Sequence, residues 1–288
     1  MRLSDFCTVF PDNPEDWPPA KLSSALPFPL RAKVKARFGS ILAASDMARL
    51  KAASRLGVAL RPFEPGDGLS TLSRSHLLRT GEVLTRVDFA PGRQKAGVIF
   101  HGYEDMRFRS SIQQPNKGQI ALGVSAFLEA AHGSLSHEFQ MLCFKSQELG
   151  KNIKELKKTI RGWNFCYIIT DLFFDKVGLE ASGTQLMNAL TEIGVSKPLV
   201  FLARDPEEWP QASVPLSQQR LLKPFAVGEE DPFFYSGKEY VENLRLQFKL
   251  FNESLKTIGG EAHIVTQSTT AHEIVELLLL NLTRKLRQ

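Results

Sequence analysis

Cysteine is scarce in this sequence. Its 288 residues include three, Cys7, Cys143 and Cys166. An odd, irregularly spaced set excludes a disulfide framework and suits a reducing compartment. Cys143 and Cys166 each sit in a short apolar run, QMLCF and FCYII, and are expected to be buried core thiols. Long apolar runs are missing too. No stretch reaches the ~18 residues of a membrane-spanning helix, and IVELLLLNL near the C-terminus is short and flanked by charge. The N-terminus, MRLSDFCTVFPDNPEDWPP, has no apolar core of a signal peptide. The expected location is therefore cytoplasmic. The sequence also has no HxxxH pair, no G-x-S-x-G elbow and no phosphate-binding loop, which removes the commonest signatures of hydrolases and nucleotide enzymes.

What is present is an ordinary globular composition, 43% hydrophobic and 23% charged, with a net charge of +5 and a pI near 9.1. The basic stretches RAKVKAR (31–37), KNIKELKK (151–158) and LTRKLRQ at the C-terminus read as solvated helix faces or ends. No recognisable nucleic-acid-binding module accompanies them, so nucleic acid is a minor alternative.

Two regions are expected. Residues 1–93 hold a Pro-rich surface arm (1–30), a helix (31–55) and a small β-containing segment, with EVLTRVDF alternating as a strand does. Residues 94–288 alternate short apolar runs with amphipathic stretches. AGVIFHG, EFQMLCF, NFCYIITDLFFD (leading into a loop), KPLVFLARD and AHIVTQ read as strands, with a short one near LLKPF. Helices are expected at NKGQIALGVSAFLEAAHG, SQELGKNIKELKKTIRGW, GTQLMNALTEIG, KEYVENLRLQFKLFNESLKTIGG and AHEIVELLLLNLTRKLRQ. Such alternation specifies an α/β fold with an open, mostly parallel sheet of five or six strands and helices on both faces. Ligands of such sheets sit beyond the carboxyl ends of the strands. There the sequence offers His101, Tyr103 and Asp105 after the first strand, Lys145 and Ser146 after the second, Thr170 and Asp171 after the third, and Arg204, Asp205, Pro206, Glu207 and Glu208 after the fourth.

These residues carry a resemblance. RPFEPGD (Arg61, Phe63, Pro65, Gly66, Asp67) is similar to the R-x-Y-x-P-G-D signature of the bacterial domain of unknown function 58 family, and LLRTGE (with Arg79) to its following A-R-T-x-E. Met106, Lys117 and the helix rich in small residues, then Thr170-Asp171, then a closing helix–strand–helix, follow in the family's order across roughly residues 45–288. The resemblance implies a von Willebrand factor A-like domain over 94–288, working with a MoxR-type AAA+ ATPase in chaperone-like assembly or maturation.

The departures are chemical. The family's D-x-S-x-S, which offers oxygens to Mg²⁺, is replaced by His101, Tyr103 and Asp105. A neutral imidazole is a poor ligand for that hard ion, and a tyrosine crowds a cavity built for serine. The D-x-R-x-I-D-W that often follows the signature is also lost, with Ser70, Leu72, Ser73 and Arg74 in its place. The expectation is a non-catalytic protein-binding module with a degenerate metal-ion adhesion site and no cofactor. Arg107, Lys145, Ser146, Phe173 and Phe174 are its candidate partner contacts. The alternatives are Mg²⁺ or Mn²⁺ binding through Asp105 and Asp171, and an enzyme site in which His101, His137 and Asp171 converge.

Overall fold

The computed structural model describes residues 1–12, 21–39, 60–62, 78, 80–82, 84–86, 94–102, 106, 107, 109, 113–144, 153–160, 162–172, 181–195, 197–206, 208, 209, 221, 222 and 235–286. In chain order these form a helix over 28–39 (α1), β1 (Leu60–Pro62), β2 (Leu84–Arg86), β3 (Lys95–His101), α2 (Lys117–Ser134), β4 (Glu138–Phe144), α3 (Ile153–Ile160), β5 (Phe165–Thr170), α4 (Ala181–Ile193), β6 (Leu199–Ala203), β7 (Leu221–Leu222), β8 (Tyr235–Ser236), α5 (Gly237–Thr257), β9 (Glu261–Val265) and α6 (Ala271–Leu286).

Five strands make one open sheet in the order β4-β3-β5-β6-β9, and every pairing in it is parallel. Because successive side chains point to opposite faces, each central strand feeds two cores. Ala96, Val98, Phe100, Tyr167, Ile169, Phe201 and Val265 face α2 and α6. Ile99, Ile168, Val200 and Leu202 face α3, α4 and α5. The result is a doubly wound, Rossmann-like α/β fold. Two-stranded antiparallel pairs, β1 with β2 and β7 with β8, accompany it. Among the described residues no helix is long and apolar enough to cross a membrane.

Two sequence expectations need correction. The segment read as a surface arm is part of the core where it is described. Short 3-10 turns at Leu3–Asp5, Cys7–Val9 and Leu22–Ala25 turn Leu3, Phe6, Cys7, Phe10, Leu22 and Leu26 inward, all at most 4% exposed. They cover the outer side of α2, which explains why every residue from Lys117 to Leu128 is buried. A helix apolar all round must be covered on all sides. The approach is closest at Gly123, where an added Cβ would meet the Cys7 sulfur. A boundary at residue 93 therefore divides segments that share one core. The second correction is Cys143, which is exposed. It lies on β4, the outermost strand of the sheet on that side among the described residues.

Candidate functional site

In chain order the main-sheet strands run β3, β4, β5, β6, β9, and in space β4 lies on one side of β3 and all the others on the opposite side. The direction of winding reverses between β3 and β5. Such a switch point opens a crevice at the carboxyl ends of the two strands, where open α/β sheets bind their ligands. His101 closes β3 and Thr170 closes β5, and the two are register partners. His101 Nδ1 lies 3.2 Å from Thr170 Oγ1, and the same hydroxyl accepts the Leu172 N–H at 3.1 Å. Leu172 is buried and held at φ 46°, a left-handed conformation costly for a branched residue. Strain of this kind accumulates at functional turns.

The main feature of the edge is a buried ion cluster. Lys117 Nζ donates to Asp171 Oδ2 at 2.9 Å and to Glu208 Oε1 at 3.1 Å, with all three side chains at most 2% exposed. Glu208 Oε2 accepts the Asp205 N–H at 3.0 Å, so that carboxylate is used on both oxygens. Asp171 Oδ1 is buried without a hydrogen-bond partner among the described residues. Lys117 is the first residue of α2, against the helix dipole, which favours anions at that end. Its position is fixed by a reciprocal cap. Asn116 Oδ1 accepts the Gln119 N–H at 2.8 Å, and Gln119 Oε1 accepts the Asn116 N–H at 3.0 Å. The cap is tied in turn to the N-terminal segment: Gln119 Nε2 donates to the Phe10 carbonyl at 2.6 Å, and Asn116 Nδ2 to that of Asp12 at 3.1 Å. Residues 1–12 thus brace the site.

The described residues do not fit a Mg²⁺ shell. One Asp171 oxygen already takes an ammonium, and the Thr170 hydroxyl faces an imidazole. Mg²⁺ demands near-ideal octahedral oxygen donors. Among the described residues no group of three or more His, Cys, Asp or Glu is placed to hold a metal ion.

His101, Thr170 and Asp171 thus come together as the sequence suggests, and Arg107 lies exposed just past the edge. His137 does not join them. It precedes β4, whose first residue pairs with Lys95 at the start of β3, whereas His101 pairs with Phe144 at the far end. Six residues of strand at about 3.3 Å each put roughly 20 Å between them. His137 belongs instead to a chain of hydrogen bonds inside the α2 face. Its Nδ1 lies 2.9 Å from His132 Nδ1, and His132 Nε2 lies 2.8 Å from Tyr167 Oη. Burial lowers the His137 pKa and raises that of the Tyr167 phenol. Arg61 is in β1, opposite Thr85. Phe63, Pro65, Gly66, Asp67, Arg79, Tyr103, Asp105, Lys145, Ser146, Phe173 and Phe174 lie outside the described residues.

Sequence reasoning placed Arg204, Asp205 and Glu208 at a strand end without assigning them a role, and it noted Lys117 without its charge partners. A lysine on the first turn of a buried helix was the available signal, since both the dipole and desolvation oppose it. Gln247, buried on α5 and hydrogen-bonded to Arg204, carried no signal. Comparison of the chain with protein-family models, with curated proteins and with solved structures gives no match.

Proposed function

We propose that this chain is a non-catalytic protein-interaction module of the von Willebrand factor A-like kind, which docks its partner on the carboxyl edge of the parallel sheet without a metal ion. The observation that carries the reading is the Lys117 ammonium, buried between Asp171 and Glu208. In metal-dependent relatives a Mg²⁺ ion at this edge meets a carboxylate of the partner. Here a tethered ammonium already neutralises the strand-end carboxylate such an ion would use. Recognition then falls to Arg107, which is exposed, and to Lys145, which follows β4 directly in the sequence. The resemblance to the domain of unknown function 58 family suggests a MoxR-type AAA+ ATPase as the partner and an accessory role in assembly or maturation.

The test is capture of a purified MoxR-type ATPase by the full chain, with EDTA or with Mg²⁺, alongside isothermal titration of chelator-stripped protein with Mg²⁺, Mn²⁺ and Zn²⁺. The expected result is capture that survives EDTA, that falls when Arg107→Ala and Lys145→Ala are combined, and no heat from Mg²⁺ or Mn²⁺. Capture that appears only with Mg²⁺, or that ignores the double substitution, sinks the proposal.

A further inference from the structure

Arg204 poses a charge problem that the interaction reading does not use. It follows directly on β6, and its N–H continues the ladder to the Val265 carbonyl at 2.9 Å, so its side chain starts at the ligand edge of the sheet. It is 1% exposed. A guanidinium cannot escape burial by losing its proton, so a buried arginine needs anionic company. Among the described residues it has none within ion-pair distance. Its hydrogen bond is to a neutral group, Nη2 donating to Gln247 Oε1 at 3.3 Å, and Nε is buried with no partner among the described residues. Of the described carboxylates nearest in the sequence, Asp205 and Glu208, neither makes up the deficit. Glu208 is committed to Lys117 and to the Asp205 N–H, and Asp205 lies beyond ion-pair distance of the guanidinium although it is the next residue. By alternation along β6, Arg204 also projects to the α5 face with Val200 and Leu202, whereas the Lys117 cluster lies under α2.

We propose that Arg204 is the receptor for an oxyanion, a carboxylate or a phosphoryl group, gripped through Nε and the adjoining terminal nitrogen in the two-point geometry that guanidinium offers such groups. Gln247 is the gate. It lines a cleft of about 270 Å³ between α4 and α5, with Thr184, Met187 and Ser254 on the walls, so the guanidinium lies one side chain behind the cleft. An anion entering there displaces the Gln247 oxygen from Nη2 and takes its place. Glu253 also lines the cleft, but it is exposed and stands six residues further along α5, about 9 Å at about 1.5 Å per residue. Its charge is solvated and distant from the receptor. The receptor stands whether or not a protein partner docks at this edge, and the two ideas fall separately: the capture assay can fail while the anion response persists.

The experiment is thermal melting of the full chain against inorganic phosphate and against acetate, each at constant ionic strength set with chloride. The wild type is compared with Arg204→Met and Gln247→Glu. The expected result is a saturable rise in Tm with at least one of the two anions and none in Arg204→Met. Acetate acting alone assigns a carboxylate, phosphate acting alone a phosphoryl group, and both acting supports the shared oxyanion chemistry. Gln247→Glu places a carboxylate where an amide oxygen already meets Nη2, supplying the missing counter-ion from within. Its anion response is expected to weaken by about tenfold or more in apparent affinity. If Arg204→Met does not fold, Gln247→Glu decides the matter. A wild type that responds to neither anion beyond chloride, or a Gln247→Glu variant that responds as the wild type does, overturns the receptor.

Discussion

Replacing Lys117 with methionine keeps the length of the side chain and removes its charge. Asp171 and Glu208, at most 2% exposed, are then left without the ammonium that both of them accept. Taking one partner out of a buried ion pair destabilises by about 3–5 kcal/mol, because the charge left behind is neither solvated nor paired. Asp171 and Glu208 both lose the ammonium here, so the upper part of that range is expected. At about 2–4 °C per kcal/mol for a chain of this size, the fall in Tm is on the order of 10 °C or more. Urea unfolding followed by circular dichroism, with thermal melting alongside, measures it. A second variant isolates the cause. Lys117→Met combined with Asp171→Asn and Glu208→Gln removes the two carboxylate charges and leaves amides, whose desolvation is milder. It is expected to recover at least about 1 kcal/mol relative to Lys117→Met alone. A Lys117→Met protein within about 1 kcal/mol of wild type, or a triple variant no better than the single, would refute the ion cluster as the organising feature of this edge.

The remaining predictions concern the body of the fold. Gly123→Ala drives a methyl into the Cys7 sulfur and should lower stability by about 1–3 kcal/mol, as overpacking does; adding Cys7→Ala should restore part of it in the same urea assay. His137 has its pKa lowered by burial from an ordinary 6.5. The unfolded chain therefore binds a proton at a higher pH than the folded one, and stability is present above the ordinary value and lost as pH falls through the depressed one. A Tm-against-pH series on the acid side should be steeper for the wild type than for His137→Gln, and equal slopes would exclude His137 as the source. Native labelling with a thiol reagent should modify Cys143 alone, since Cys7 and Cys166 are buried. Early modification of all three in folded protein would contradict the packing of the N-terminal segment.

Most of the layout was legible in the sequence because it is local. The run EFQMLCF is β4 residue for residue, and the run AHEIVELLLLNLTRKLRQ opens on Ala271, where α6 begins. Strand length, helix period and caps are all set within a few residues of one another. The alternation of these elements implied the parallel sheet, and the sheet implied that His101, Thr170 and Asp171 would gather at one edge. Composition misled where it stood in for geometry. The prolines near the N-terminus suggested a surface path, but 3-10 turns deliver Leu3, Phe6, Cys7 and Phe10 to one side. An apolar neighbourhood suggested a buried Cys143, but exposure there depends on which strand is outermost.

What the sequence determined by itself was therefore the class of fold, its elements and the strand ends at which chemistry would be found. Strand order, the place of residues 1–12 against α2 and the partners of the buried charges were decided only in three dimensions. Lys117 meets carboxylates 54 and 91 residues away, and Arg204 meets an amide 43 residues away. A charge carries no mark in the sequence of which distant charge it will face. That choice follows from the order in which the strands stack, and it is enforced because a charge removed from water must find its compensation wherever the fold has placed it.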